Sequence, residues 1–291
     1  MNHIPVMLNE VIDNLDPKEG DVFVDGTYGF GGHSAEIAKH LGTRGKIIGV
    51  EKDEEIFSFN EPKLRENSNL IFVNDDFRNI DLILEKLGIY RVDKILLDLG
   101  VSSYHFDQSE RGFSFSKDEK LDMRLSKDSL VTARDLINGL SEKELADLFF
   151  RLSDERRSRQ IAKAIVQARR QKKITTTSQL SDIIASANKS FGGKINPSTR
   201  VFQALRIAVN DEFGAIEEAL PKAIDLLNTG GKLAVISFHS GEDRIVKNIF
   251  KKYAGKLQIK LLNKKPIVPT LEEIRSNPRS RSAKLRVAEK I

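Results

Sequence analysis

The stretch Asp25-Gly26-Thr27-Tyr28-Gly29-Phe30-Gly31-Gly32-His33 constrains the fold more than any other part of the chain. It follows the apolar run Val22-Phe23-Val24 and precedes the amphipathic Ser34-Ala35-Glu36-Ile37-Ala38-Lys39, an order that predicts strand, glycine-rich turn and helix. Glycines admit positive φ and let a ligand approach bare backbone, and the new helix presents its positive N-terminus to the same place. The spacing is G-x-x-G-x-G-G. It is neither the G-x-G-x-x-G of dinucleotide enzymes nor the G-K-[ST] ending of a nucleotide P-loop. Asp25 at the strand end would repel a pyrophosphate but suits the ammonium of an amino-acid group. The plainer alternative is a glycine turn that serves tight packing only.

A second strand, Lys46-Ile47-Ile48-Gly49-Val50, ends in Glu51. In βαβ dinucleotide sites an acid roughly 20 residues past the glycines takes the ribose hydroxyls, because one carboxylate accepts from both. A ligand with an amino-acid end and a ribose end is S-adenosylmethionine, and Asp25, Gly29, Gly31, Gly32 and Glu51 are its candidate contacts. A solvated strand-end acid is the alternative for Glu51.

The alternation continues. Strand three, Leu70 to Asn74, is closed by Asp75-Asp76-Phe77, where an acid can accept from an adenine amine and Phe77 can cover a ring face or join the core. After a helix from Ile80 to Leu87, strand four (Val92 to Asp98) runs into Leu99-Gly100-Val101-Ser102-Ser103. Ligands of open parallel sheets bind beyond strand C-termini at the switch in strand order, so Asp98 and the serines are candidates for chemistry; the serines can equally cap the next turn. From Tyr104 to about Asn210 the periodicity is helical, with a capping box at Ser141 and a basic helix from Arg156 to Lys173. Gly192-Gly193-Lys194 breaks a helix begun at Thr177, and Pro197 starts another. Strand pattern resumes at Lys232 to Ser237, followed by Phe238-His239-Ser240, a helix, a strand from Leu257 to Leu262, a basic loop Asn277 to Ser282, and a last strand. The expected architecture is an α/β doubly wound, Rossmann-like sheet, residues 1–104 and 211–291, interrupted after strand four by an all-helical insertion, residues 105–210. Such an insertion would hang over the transfer centre, where a substrate-reading module belongs.

At 291 residues and 40% hydrophobic content the chain can bury a sizeable core. The absence of cysteine excludes disulfides, thiolate metal sites and cysteine nucleophiles. No apolar run approaches membrane-spanning length and no signal peptide is legible, so a cytoplasmic protein is expected. The five histidines, His3, His33, His40, His105 and His239, have no metal-ligand spacing, and no catalytic metal is expected. A formal net charge of +5 tilts mildly toward polyanions.

The chain resembles the ribosomal RNA small-subunit methyltransferase H family, which methylates the exocyclic N4 of a cytosine in small-subunit (16S) ribosomal RNA. The matching strings begin with His3-Ile4-Pro5-Val6-Met7-Leu8, Asp25-Gly26-Thr27 with Gly29 and Gly31-Gly32-His33-Ser34, and Asp98 to Ser103. They continue with Arg111-Gly112-Phe113-Ser114-Phe115, Leu121-Asp122-Met123-Arg124, Phe202 to Asn210, Ile236 to Ser240, and Asn277 to Arg286. The resemblance implies a class I methyltransferase fold with a seven-stranded sheet and an inserted helical domain. It also implies S-adenosylmethionine contacts at Gly31, Gly32, His33, Glu51, Phe77, Asp98 and His105. Three positions depart from the family pattern: Glu51 stands for aspartate, Tyr104-His105 for Pro-Gln, and Gly241 for leucine.

An exocyclic cytosine amine is a poor nucleophile because its lone pair is delocalised into the ring, so catalysis must hold it close and accept a proton; alignment alone contributes about 7–11 kcal/mol at best. Asp98 is expected to place the cofactor, with Ser102, Ser237, Phe238 and His239 facing the base: Phe238 stacking or packing in the core, His239 acting as base or as a structural hydrogen-bond partner. RNA contacts are expected from the basic helix, Arg206, Asn210, Arg279 and Arg281, against the alternative of a solvated charged face. The expected partner is small-subunit ribosomal RNA in the assembled or assembling subunit, with no membrane and no DNA. Rival classes are a non-enzymatic RNA-binding protein, which would not need Asp25, the glycines and Glu51 together, a small-molecule methyltransferase, and a nicotinamide enzyme.

Overall fold

The computed structural model describes residues 4–64, 69–187 and 196–291; His3 and the expected Gly192-Gly193-Lys194 break lie outside them. In chain order the first part holds α1 (Leu8–Leu15), β1 (Val22–Asp25), α2 (Gly32–Leu41), β2 (Lys46–Glu51), α3 (Glu54–Leu64), β3 (Leu70–Asn74), α4 (Ile80–Lys86) and β4 (Val92–Asp98). Then come α5 (Ser103–Asp107), α6 (Ala133–Gly139), α7 (Glu142–Ser153), α8 (Ser158–Gln171), α9 (Thr177–Ala187) and α10 (Pro197–Asn210). The chain closes with α11 (Glu212–Leu226), β5 (Leu227–Ser237), α12 (Ser240–Gly255), β6 (Ile259–Leu261), α13 (Leu271–Ser276) and β7 (Lys284–Lys290). Contacts divide it into two compact units, Met1–Gly100 with Phe213–Ile291, and Val101–Glu212.

The first unit is built on a seven-stranded sheet of order β3-β2-β1-β4-β5-β7-β6, the class I methyltransferase expectation. The first five strands are parallel, and β7 runs antiparallel between β5 and β6. Period-two alternation sorts the strand residues onto two faces. Val24, Ile95, Leu97, Leu233 and Val235 join one buried cluster with side chains of α4, α11 and α12. Phe23, Leu96, Ala234 and Ile236 join another with Val11, Leu15, Ile37 and Leu41 of α1 and α2. Burial on both faces explains why these strands read as continuous apolar runs.

The second unit has its own core, with Ile137, Phe149, Ile161, Ile165, Leu180, Val201 and Leu205 among its members. Helix α8 shows why the sequence read as basic and amphipathic: Ile161, Ala162 and Ile165 are buried while Arg159, Lys163 and Arg170 are exposed. Arg169 differs from that expectation. Its guanidinium donates to the Ile137 and Leu140 carbonyls at 2.5 and 2.6 Å, satisfying the C-terminal end of α6.

Three further expectations change. The strand expected from Lys232 begins at Leu227 and takes in Gly230 and Gly231, where the register with β4 jumps and Gly230 takes φ +79°. The strand expected from Leu257 is confined to Ile259–Leu261. The supposed basic loop is a 3-10 helix, Pro278–Ser282, preceded by α13, whose cap Thr270 accepts from the Glu273 N–H at 3.1 Å. Thr270-Leu271-Glu272-Glu273 was the legible signal for that helix.

Candidate active site

The chain passes outward from β1 through β2 to β3 and then returns to the other side of β1 as β4, which places the switch in strand order between β1 and β4. Neighbouring strands lie about 4.8 Å apart, so residues ending adjacent strands lie near one another. The ends here are acidic: Glu51 ends β2, Asp25 ends β1 and Asp98 ends β4, and because Asp25 is in register with Gly49 and Leu96, Glu51 and Asp98 stand two residues beyond it on either side. Each is held by the local turn. Asp25 accepts from the Ser34 hydroxyl at 2.6 Å and the Thr27 N–H at 3.2 Å. Glu51 accepts from the Gly29 N–H at 2.9 Å and the Asp53 N–H at 2.7 Å. The Asp98 N–H donates to Thr27 Oγ1 at 2.7 Å, tying the glycine turn to β4.

Burial pushes Asp25 up to about 6 and Glu51 up to about 7. The opposing effects are hydrogen bonds, from Ser34 and Thr27 on Asp25 and from Asp53 and Gly29 on Glu51. Asp98 is raised well above the carboxylate range by burial, then by the charges of Asp25 and Glu242. Its Oδ1 is buried with no hydrogen-bond partner, and its Oδ2 lies 3.8 Å from His33 Nδ1. Three acids so placed fit a ligand that brings positive charge.

The glycines open the turn. Gly31 takes φ +76° and caps α2; a Cβ there would lie 2.5 Å from the Tyr28 hydroxyl. At Gly29 a Cβ would meet only the Thr27 carbonyl, at 3.9 Å, so the backbone that donates to Glu51 is open. Tyr28, which the sequence reading passed over, packs against Phe72 with ring centroids 4.7 Å apart, and burial together with Asp25 pushes its hydroxyl up to about 12. Phe77 opens the short 3-10 helix Phe77–Asn79 and is partly buried against the core. Beside it, Asp76 pairs with Lys52 at 2.8 Å.

At the end of β5, Ser237 is buried and donates to the Lys284 carbonyl of β7 at 3.4 Å. Phe238 sits beside the Asp98-Leu99-Gly100 turn: a Cβ on Gly100 would lie 3.6 Å from Phe238 Cδ2. His239 is the N-cap of α12. Its Nδ1 accepts from the Glu242 N–H at 3.3 Å and its Nε2 lies 3.2 Å from Glu242 Oε1. The Nδ1 bond is the structural alternative expected for His239, while Nε2 is buried with no hydrogen-bond partner. Glu242 was missed from the sequence. It is 1% exposed and its Oε2 accepts from the Phe238 and His239 N–H groups at 2.8 and 3.3 Å.

In the second unit, Ser102 caps α5, and its N–H and hydroxyl both lie 3.0 Å from His105 Nδ1. His105 is buried beside Phe113. Both side chains serve the start of this helix. Arg206 and Asn210, expected to contact RNA, have partners within the protein. Arg206 makes a two-pronged pair with Glu212 at 2.9 and 3.0 Å, and Asn210, 3% exposed, is bonded to the backbone of Met123, Leu125 and Arg206. Arg279 and Arg281 are exposed on the 3-10 helix of the first unit.

The description of the MraW methylase family matches residues 1–291. The chain is 45% identical to the ribosomal RNA small subunit methyltransferase H of Caldicellulosiruptor saccharolyticus, with 99% of each chain covered. It is 42% identical to the protein of the same name from Finegoldia magna, covering 99% of this chain and 98% of that one. Among solved structures it shares a distant likeness with an rRNA methylase from Streptococcus thermophilus, at 12% identity and a TM-score of 0.43, over 98% and 93% of the two chains. Full-length matches at this identity assign the chain: it belongs to the MraW methylase family.

Proposed function

We propose that the protein transfers a methyl group from S-adenosylmethionine to the exocyclic N4 of a cytosine in small-subunit ribosomal RNA. The observation that carries the reading is the cluster of Glu51, Asp25 and Asp98 at the ends of β2, β1 and β4, with a buried Asp98 oxygen lacking a partner. When bound, the cofactor supplies an electrophilic methyl on a sulfonium. The chain's own residues do the rest. Glu51 accepts from ribose hydroxyls while Gly29 and Asp53 fix its carboxylate. Asp25, oriented by Ser34, faces the ammonium group, and Gly31, Gly32 and His33 line the amino-acid end. Phe77 covers the adenine. Asp98 supplies negative charge at the transfer centre, and Phe238 offers the base an aromatic face beside Gly100. Ser102 and Ser237 act through the backbone turns they hold.

RNA is gripped by exposed cations: Arg159, Lys163 and Arg170 on α8, and Arg279 and Arg281. The target lies in the assembled or assembling small subunit, a surface on which an unpaired base can be lifted out and stacked. The test is transfer of labelled methyl to small subunits lacking the modification, followed by nucleoside analysis. Label in N4-methylcytidine is the expected result; label elsewhere, or none, refutes the proposal. Arg279→Ala with Arg281→Ala should raise KM for the subunit, leave kcat nearly unchanged, and lower the salt slope of RNA binding by about 2.

Acidification should weaken cofactor binding, because a cationic ligand favours ionised Glu51 and Asp25, which titrate near 7 and 6. Calorimetry between pH 8 and pH 5.5 should show the dissociation constant rising, with proton release on binding in that window. The free protein should move the other way. Both pKa values are raised over the unfolded chain, so the folded state holds more protons and these groups add stability as pH falls through 7 toward 4. A cofactor affinity flat across this range would remove these acids from the site.

A further inference from the structure

Two segments from opposite ends of the sequence meet over the glycine turn. Residues Ile4 to Met7 form a strap before α1, and Met7 is fully buried with φ +55°, an uncommon conformation for a side chain of its kind. Two side chains of the α13 region hold the strap from outside. Glu273 Oε1 accepts from the Met7 N–H at 2.6 Å, and Asn277 donates to the Ile4 carbonyl at 3.3 Å. The inner side of the strap touches the cofactor turn twice. A Cβ on Gly32 would lie 2.5 Å from Pro5 Cγ, so the proline ring rests on bare backbone. The Val6 carbonyl lies 2.9 Å from His33 Nε2. A carbonyl only accepts, so this nitrogen carries the hydrogen, and the contact fixes both the tautomer and the ring plane. The other ring nitrogen then faces Asp98 at 3.8 Å.

We infer that Glu273 is a positioning residue for the methyl-donor site, clasping the strap Ile4–Met7 so that Val6 orients His33 toward Asp98 and Pro5 covers Gly32. Its carboxylate touches none of the site residues. It acts through a left-handed Met7 that an untied strap would have no reason to keep, since the bond offsets the conformational cost of that backbone. The helix that carries Glu273 leads directly into the 3-10 turn bearing Arg279 and Arg281, so the clasp and the proposed phosphate contacts share one continuous piece of chain.

This inference rests on the reading of the turn as the S-adenosylmethionine site, and its test separates the two. Calorimetry with S-adenosylmethionine would be run on the full chain, on Glu273→Ala and on Glu273→Gln, with thermal melts of each without ligand. Glu273→Ala should raise the dissociation constant about tenfold, which corresponds to the strap being docked in about one molecule in ten of the free variant. Glu273→Gln keeps an acceptor for the Met7 N–H and should restore affinity to within about threefold of the parent. An alanine variant that binds as the parent does, or melts lower with unchanged affinity, overturns the inference; so does a glutamine variant as impaired as alanine. Should Glu273→Ala fail to fold, Asn277→Ala serves: a weakened affinity supports the clasp and an unchanged one refutes it. A parent chain that gives no heat overturns the cofactor reading itself.

Discussion

Asp98→Asn should weaken S-adenosylmethionine binding by about two orders of magnitude while raising the melting temperature of the free protein. The first effect follows from charge. Asp98 ends the strand at the switch in strand order, its Oδ1 is buried without a partner, and a neutral amide offers a sulfonium no countercharge. Losing one buried charge interaction costs about 2–3 kcal/mol, which is the stated hundredfold. The second effect has the opposite sign. In the free protein an ionised Asp98 is penalised by burial and repelled by Asp25 and Glu242, and asparagine removes both penalties at nearly the same shape. The gain in melting temperature should therefore grow as pH rises, because only the ionised form is penalised. Calorimetry and melts at two pH values read both effects. A variant that lost affinity and stability together would assign Asp98 to the architecture, and one that kept its affinity would remove it from the site. A site residue that costs the apo fold stability is the usual trade between stability and function.

The part of this site that was legible in the sequence is the part made by local geometry. A strand end, an acid, glycines at positive φ and a helix start occupy nine consecutive residues, and each follows from short-range rules, so Asp25 and Gly31 stand out at once, with Glu51 following from its place at the end of the next strand. What stayed hidden depends on burial or on distant partners. Tyr28 reads as one aromatic among many until it is seen filling the space beside Gly31. Glu242 reads as an acid on an ordinary amphipathic helix; only the fold shows it buried beneath the Phe238-His239 turn. His239 reads from the sequence as a candidate base or a structural hydrogen-bond partner, and only the fold shows that its Nδ1 caps α12. Arg169 looked like surface charge in a basic run, and the turn it supports lies 29 to 32 residues earlier in the chain. Charge patterns report composition faithfully, but they do not say which cations are already occupied by carbonyls.

Asn210 marks that limit most sharply, and Asn210→Ala should destabilise the protein by about 2–4 kcal/mol without reducing RNA affinity per folded molecule. Three of its bonds go to backbone groups. Oδ1 accepts from the Leu125 N–H at 2.8 Å, and Nδ2 donates to the Met123 carbonyl at 2.8 Å and the Arg206 carbonyl at 3.0 Å. Alanine would strand the first two backbone groups around Met123, which is fully buried at φ +62°. The same loop is gripped from its other side, where Arg111 donates to the Arg124 carbonyl at 3.0 Å and Arg124 pairs with Asp122 at 2.7 and 2.9 Å. Three strings quoted for the family resemblance, around Arg111, Asp122 and Asn210, thus interlock as one clamp within the second unit. Their resemblance to the family is a resemblance of architecture as much as of chemistry. Urea unfolding should locate the loss, and Asn210→Asp, which keeps the acceptor for Leu125 but sets a carboxylate oxygen against the Met123 and Arg206 carbonyls at a buried position, should destabilise at least as much as alanine. RNA binding measured on the folded fraction decides the alternative: a stable Asn210→Ala protein with weakened RNA affinity would return this residue to the substrate surface.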